Sequence, residues 1–169
     1  MNPSPLPPLE LSTGQGGELL GELRYVRSEY SFTFIPADDQ ALVERCPDGR
    51  TSILLDDLQI EIGLPRQEVL FAWGLHPHTL WRERLLEPPE PVPGVVRVSR
   101  PTDLEPGTAI EADGRRDWTT EWDPGSGWLR IAGSEHDGAS PVEVATNVVL
   151  TLEEGRLRSV WLAPAFVDS

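Results

Sequence analysis

Two stretches of this chain carry histidine and carboxylate residues, the residue types that bind metals. His76 and His78 lie two residues apart, Glu83 follows after four intervening residues, and His136 comes much later in the chain. Residues two apart on a strand point to the same face, and imidazole together with carboxylate suits Fe, Mn, Ni or Zn. The residue types in these two stretches therefore suit a divalent metal.

The pattern His-x-His-x4-Glu resembles the first metal motif of the cupin superfamily. Residues 133–136, Gly-Ser-Glu-His, match the Gly-x2-His part of the second cupin motif. The resemblance implies a β barrel in which His76, His78, Glu83 and His136 bind one divalent metal. Apart from that metal, we expect no cofactor, because the chain has no phosphate-binding glycine loop between a strand and a helix.

A second interpretation of the same histidines stays open. Pro77 separates them, and proline suits the first position of a helix. The spacing of Leu80, Trp81 and Leu85 predicts a short amphipathic helix over residues 77–86. In such a helix His76 and His78 do not face each other.

A group of tryptophan and arginine residues is the candidate ligand-binding site. Trp118 and Trp122 share a parity, so a regular strand would place both rings on one face. Trp128 follows the next turn and could join them, with Arg116 and Arg130 close by in sequence. Flat rings suit the apolar faces of sugars and the centres of protein interfaces. The alternative is that these rings pack in the core, where Trp is usually well buried.

The charge balance restricts the class of partner. The chain has 28 acidic and 14 basic residues and a formal charge of −14. Every basic residue is Arg, a usage typical of GC-rich bacterial genomes. An acidic field repels phosphate backbones and anionic lipid headgroups, so nucleic acid and membrane surfaces are disfavoured as partners. A basic protein or a neutral ligand is compatible with the charge, which also serves solubility.

Cysteine content and hydropathy indicate a cytoplasmic protein. Cys46 is the only cysteine, so no disulfide forms within the chain. Residues 1–17 lack the basic and apolar regions of a signal peptide. No apolar run reaches the roughly 18 residues that a membrane helix needs.

Alternation with a period of two is the main structural signal. Tyr30, Phe32 and Phe34 alternate with polar residues, which predicts a strand. Residues 41–45, 58–62 and 68–73 read as further strands, and residues 142–152 as the longest one. We expect about ten short strands and one short helix. The fold class is therefore mostly β, an antiparallel β-sandwich or an open β-barrel.

Composition divides the chain into a tail and one domain. Residues 1–17 are rich in Pro and Gly and are predicted to be a disordered tail. Residues 18–169 are predicted to form a single domain. The proline-rich stretch 87–94 is stiff and is expected to cross between two sheets.

These features favour a non-enzymatic binding domain whose partner is a protein. Acidic charge, surplus Trp and the lack of a recognisable catalytic motif support this hypothesis. A toxin-neutralising immunity protein is one concrete form, by analogy only. Two alternatives stay open: a cupin-like metal enzyme or metal-dependent binder, and a β domain that binds a carbohydrate or a lipid through exposed Trp. Catalytic activity and oligomeric state are not decided by the sequence.

Overall fold

The computed structural model describes residues 9–112, 118–133 and 139–169. Within them the chain forms one α-helix, two short 3₁₀ turns (Arg27–Glu29 and His78–Leu80) and sixteen strands. In chain order the main elements are β1 (Glu10–Gly14), β2 (Gly21–Val26), β3 (Ser31–Pro36), α1 (Asp39–Arg45), β4 (Arg50–Leu55), β5 (Leu58–Gly63), β6 (Glu68–Leu75), β7 (Arg82–Glu83), β8 (Val92–Pro93), β9 (Val95–Arg100), β10 (Ile110–Glu111), β11 (Thr119–Trp122), β12 (Leu129–Ala132), β13 (Ser140–Ala145), β14 (Val148–Glu153), β15 (Arg156–Leu162) and β16 (Ala165–Val167).

The strands form two sheets. The nine-stranded sheet has the order β10-β4-β5-β6-β3-β2-β16, with β9 pairing to both β6 and β1. The seven-stranded sheet has the order β7-β11-β12-β15-β14-β13-β8. The predicted mostly-β class with one short helix is confirmed, and two open sheets are consistent with a β-sandwich.

Both sheets are mixed rather than purely antiparallel, so the expected antiparallel pairing is confirmed only in part. The parallel pairs are β10 with β4, β7 with β11, β8 with β13 and β16 with β2. In each pair one member is a two- or three-residue strand at the edge of its sheet. These segments are not joined to their partners by a hairpin, so no tight turn imposes an antiparallel direction.

Alternate side chains of both sheets point into the space between them. In β2, Leu23 and Tyr25 are buried while Glu22 is exposed, and in β12 both Leu129 and Ile131 are buried. Burial of one such large apolar side chain stabilises the fold by about 1.5–3 kcal/mol. The hydrophobic core therefore takes its side chains from both sheets.

The helix lies elsewhere than predicted. It spans Asp39–Arg45, a stretch read as partly strand, because the Asp38 side chain accepts a hydrogen bond from the Gln40 amide at 2.9 Å and caps the helix. Residues 77–86 instead contain the 3₁₀ turn, and Trp81 after it is extended. No helix in the described part of the chain has the length and apolar character to cross a membrane.

Part of the predicted tail is ordered. Within residues 1–17, β1 pairs antiparallel with β9. Leu9 and Leu11 are buried in the core, and the Arg156 guanidinium donates a hydrogen bond to the Leu9 oxygen at 3.2 Å. Alternating leucines thus anchor a segment whose Pro and Gly content had suggested disorder. Residues 1–8 lie outside the described residues.

The predicted longest strand is in fact a hairpin. Residues 142–152 divide into the end of β13 and most of β14, which pair antiparallel with each other. Asn147 between them has a φ of 63°. Asparagine tolerates this left-handed conformation, which lets a tight turn interrupt an otherwise apolar run.

The proline-rich segment spans the seven-stranded sheet. β7 and β8 are opposite edges of that sheet, which are about 29 Å apart across a flat sheet at about 4.8 Å per strand. The nine steps from Glu83 to Val92 reach only about 30 Å when extended. An extended course, which proline favours, is compatible with this span, and the Asp123 carboxylate accepts a hydrogen bond from the Leu86 amide at 3.1 Å. The chain passes to the nine-stranded sheet at the end of this segment, between β8 and β9.

Replacement of Gly21 by Ala tests the packing of β2 against β3. A Cβ there would collide with the Ile35 backbone oxygen and lie 2.6 Å from the Phe34 ring. We expect Gly21→Ala to lower the unfolding free energy by about 1–3 kcal/mol, measured by urea denaturation. Gly17→Ala is the control, because nothing lies within 4 Å of its Cβ. Equal stability of the two variants would contradict this packing.

Candidate functional site

Several loops and strand ends meet at one end of the nine-stranded sheet. β6 ends at Leu75, which pairs with Ser31 at the start of β3, and β2 ends at Val26 beside the same residue. The β4–β5 turn adjoins the end of β6, because Leu58 pairs with Gly74. β16 runs parallel to β2 and ends there too. Residues that are distant in sequence are thereby gathered at one candidate site.

Tyr25 lies at the centre of this site. Its side chain is fully buried, and its hydroxyl donates a hydrogen bond to the backbone oxygen of His76 at 2.7 Å. Nδ1 of His78 is 3.3 Å from the same hydroxyl. Burial raises the pKa of Tyr25, so the hydroxyl remains a neutral donor. Tyr25 therefore fixes the segment that carries both histidines.

The rings around Tyr25 form a packed aromatic cluster. We define the aromatic cluster as Tyr25, Phe32, Trp81, Trp122 and Phe166. Tyr25 lies 4.8 Å from both Phe32 and Trp81, measured between ring centroids. Trp122 lies 5.9 Å from Trp81 and 5.8 Å from Phe166. Since Trp122 belongs to the seven-stranded sheet and Phe166 to the other, the aromatic cluster joins the two layers.

The indole N–H groups of Trp81 and Trp122 are buried and have no hydrogen-bond partner among the described residues. An unpaired buried donor costs about 1–3 kcal/mol. Contacts between the rings therefore hold the aromatic cluster together, and the cluster gives the site a hydrophobic base.

His76 connects the two sheets. Its Nε2 is 2.7 Å from the hydroxyl of Thr120 on β11, within hydrogen-bonding distance. Burial lowers the pKa of His76 to about 4, and the negative charge of Asp57 only partly opposes this shift. The imidazole is therefore neutral near pH 7 and serves as a structural cross-link.

An apolar patch lies on the solvent side of this base. We define the apolar patch as Tyr30, Leu75, His78 and Leu80. The rings of Tyr30 and His78 stack with centroids 5.1 Å apart. Tyr30, Leu75 and Leu80 are 42%, 47% and 75% exposed. The His76 amide donates a 2.7 Å hydrogen bond to the Tyr30 oxygen, which holds the two halves of the patch together.

Carboxylates surround the apolar patch. We define the acidic rim as Glu29, Asp56, Asp57 and Asp168, all of them exposed. Glu29 precedes Tyr30, and the two aspartates form the turn beside the end of β6. Arg27 forms an exposed ion pair with Asp168 at 3.2 Å and lies 5.1 Å above the Phe166 ring. The Arg27 guanidinium therefore lies beside the four carboxylates of the acidic rim and pairs with one of them.

The predicted metal ligands are not assembled within the described residues. One ring nitrogen of His76 faces Thr120, one of His78 faces Tyr25, and Glu83 is exposed on β7. No group of three His, Cys, Asp or Glu side chains in the described ranges could hold a metal ion. His136 lies outside the described residues, so the cupin-like site stays a prediction.

The predicted tryptophan group is divided between the two faces of one sheet. Trp118 and Trp122 are partly buried and pack against the core. Trp128 instead contacts Trp161, at 6.4 Å between centroids. Trp161 pairs with Arg130 on the neighbouring strand and is buried outside the core cluster. The structure therefore does not bring Trp128 together with the other two rings.

Arg130 belongs to a charge network beside Trp128. Its guanidinium is 3.2 Å from Glu121 and lies 6.0 Å above the Trp161 ring. Arg84 forms a second ion pair with Glu121 at 2.7 Å. Desolvation works against ionisation of Glu121, but the two arginines together hold its pKa below the usual range. Arg116, the remaining predicted binding residue, lies outside the described residues.

Most residues of the observed site could not be recognised from the sequence. The alternation of Tyr30 and Phe32 predicted their strand but not that Tyr30 stacks on His78. Tyr25, Trp81 and Phe166 carry no local signal, because their contacts join segments more than fifty residues apart. Only knowledge of the strand order would have placed these residues together.

The lowered pKa of His76 predicts how stability depends on pH. In the unfolded chain His76 takes up a proton below about pH 6.5, whereas in the folded protein it resists protonation until about pH 4. The stability that the neutral His76 imidazole contributes is therefore fully present above about pH 6.5. It is lost as the pH falls toward 4, and the loss is on the order of 3 kcal/mol. We expect His76→Gln to flatten this slope in chemical denaturation at a series of pH values, with His78→Gln as the control. The same slope for His76→Gln and the wild type would contradict the assignment.

The site presents aliphatic and aromatic side chains to solvent, with carboxylates around them. Such a surface can bury apolar area against a partner and attract positive charge. One ring nitrogen of His78 faces the Tyr25 hydroxyl, and one ring nitrogen of His76 faces Thr120. Comparison with known protein families and with curated proteins finds no match to this chain.

Proposed function

We propose that this chain is a non-enzymatic binding domain that engages a protein partner through the apolar patch. The observation that carries the proposal is the exposure of Tyr30, Leu75 and Leu80 around one stacked ring pair. Exposed apolar side chains with a polar rim are typical of protein interaction sites. Tyrosine is also enriched among the residues that dominate binding energy.

The base below the patch favours binding because it is already ordered. The Tyr25 hydroxyl and the His76 amide hold the loop that carries His78 against Tyr30. The aromatic cluster supports this loop from within the core. A partner would therefore meet a preformed surface, and less side-chain entropy would be lost on association.

The two histidines take part in the architecture of the site through one ring nitrogen each. Nε2 of His76 is occupied by Thr120, and Nδ1 of His78 faces the Tyr25 hydroxyl. Both imidazoles contribute to the architecture of the patch. Neutralisation of a toxin, as by immunity proteins, is one form that such a binding function would take.

Capture of a partner that depends on the patch tests this proposal. We expect immobilised wild-type protein to retain a specific protein from a lysate of its source, and Leu80→Ser to retain at least about tenfold less. Val43→Ser is the matched control, because Val43 is 56% exposed on α1 at the opposite end of the sheet. The proposal is wrong if nothing is retained, or if Leu80→Ser and Val43→Ser behave alike.

A further inference from the structure

The strand order concentrates negative charge around the apolar patch. The four carboxylates of the acidic rim come from three separate segments: residues 27–30, residues 56–57, and Asp168 after β16. The only basic residue in these segments is Arg27, which is already paired with Asp168. Glu29 and Asp57 are exposed and form no ion pair with a described residue. The rim therefore offers unneutralised carboxylates beside exposed apolar side chains.

We propose that the partner segment seated on the apolar patch is cationic, with Arg or Lys side chains next to an aliphatic or aromatic anchor. This inference rests on the proposed function and adds the chemistry of the partner. The anchor would contact Tyr30, Leu75 and Leu80, and its flanking cations would face Glu29 and Asp57. Opposite charges at the rim of an interface raise the association rate and select against other partners.

The charge of the whole molecule favours the same occupant. At −14, two copies of this chain repel each other, so a second copy is a poor occupant of an acidic face. An anionic partner is disfavoured for the same reason. A cationic protein is instead attracted over about one Debye length, roughly 8 Å at physiological salt.

Binding of designed peptides tests the inference. The probes are a fluorescein-labelled peptide of repeated Leu-Lys-Lys-Leu units, a counterpart with Glu for Lys, and a counterpart with Ser for Leu. Binding is measured by fluorescence anisotropy at about 50 mM salt. The Debye length is then above about 10 Å, so the charges of the acidic rim act on the peptide. We expect the wild type to bind the Leu-Lys peptide and to bind both counterparts at least about tenfold more weakly.

Variants of the rim separate local from overall charge. Glu29→Gln combined with Asp57→Asn is expected to weaken Leu-Lys peptide binding about fivefold to tenfold and to reduce its salt dependence. Asp103→Asn with Glu105→Gln removes the same charge at the opposite end of the sheet, where the Leu104 amide bonds to Gln67. We expect this control to change affinity less than about twofold.

The outcomes distinguish the two proposals. If Leu80→Ser abolishes peptide binding but the Glu and Lys peptides bind equally, the cationic partner is wrong and the binding patch stands. If the rim variant and its control weaken peptide binding equally, the overall charge of the molecule explains the attraction and the acidic rim does not. The inference is then overturned. If the wild type binds no peptide, or forms a dimer that Leu80→Ser disrupts, the cationic occupant is likewise excluded. Lysate capture that is insensitive to Leu80→Ser would instead remove the proposed function.

Discussion

The hydrogen bond from the buried Tyr25 hydroxyl to the His76 backbone oxygen is the contact on which the site depends. The hydroxyl of a tyrosine inside an apolar core must form a hydrogen bond, because an unpaired buried hydroxyl destabilises the fold by its desolvation cost. The backbone after β6 is held against the core as a result. That segment then carries His78 to Tyr30 and places Nε2 of His76 beside Thr120. One buried donor thus links core packing to the shape of the exposed patch.

Much of the fold follows from local sequence patterns. Alternation of apolar residues predicted strands at residues 58–62 and 68–73, close to the observed bounds of β5 and β6. Period-two burial in β2 and β3 has the same origin, since side chains of a strand alternate between the core and solvent. Local patterns failed where a single residue decides the backbone: Asp38 caps a helix, and Asn147 turns an apolar run into a hairpin.

The site was less predictable because it is made by tertiary contacts. The sequence left open whether Trp122 lies on an exposed aromatic face or in the core, and the structure packs it against Trp81 and Phe166. The edge strands β7 and β16, which pair in parallel with their neighbours, are two and three residues long. Periodicity cannot be detected over so few residues, and the pairing is set by the neighbouring strands. The acidic rim likewise combines turns whose closeness depends on strand order alone.

Chemical-shift mapping by NMR is the most direct test of the claim that binding occurs at this end of the nine-stranded sheet. On titration with the Leu-Lys peptide, the account predicts that the largest amide shifts occur at Tyr30, Leu75, His78 and Leu80. The amide of Val43, at the far end, should not shift. Shifts concentrated around Trp128 and Arg130 on the other sheet would contradict the account.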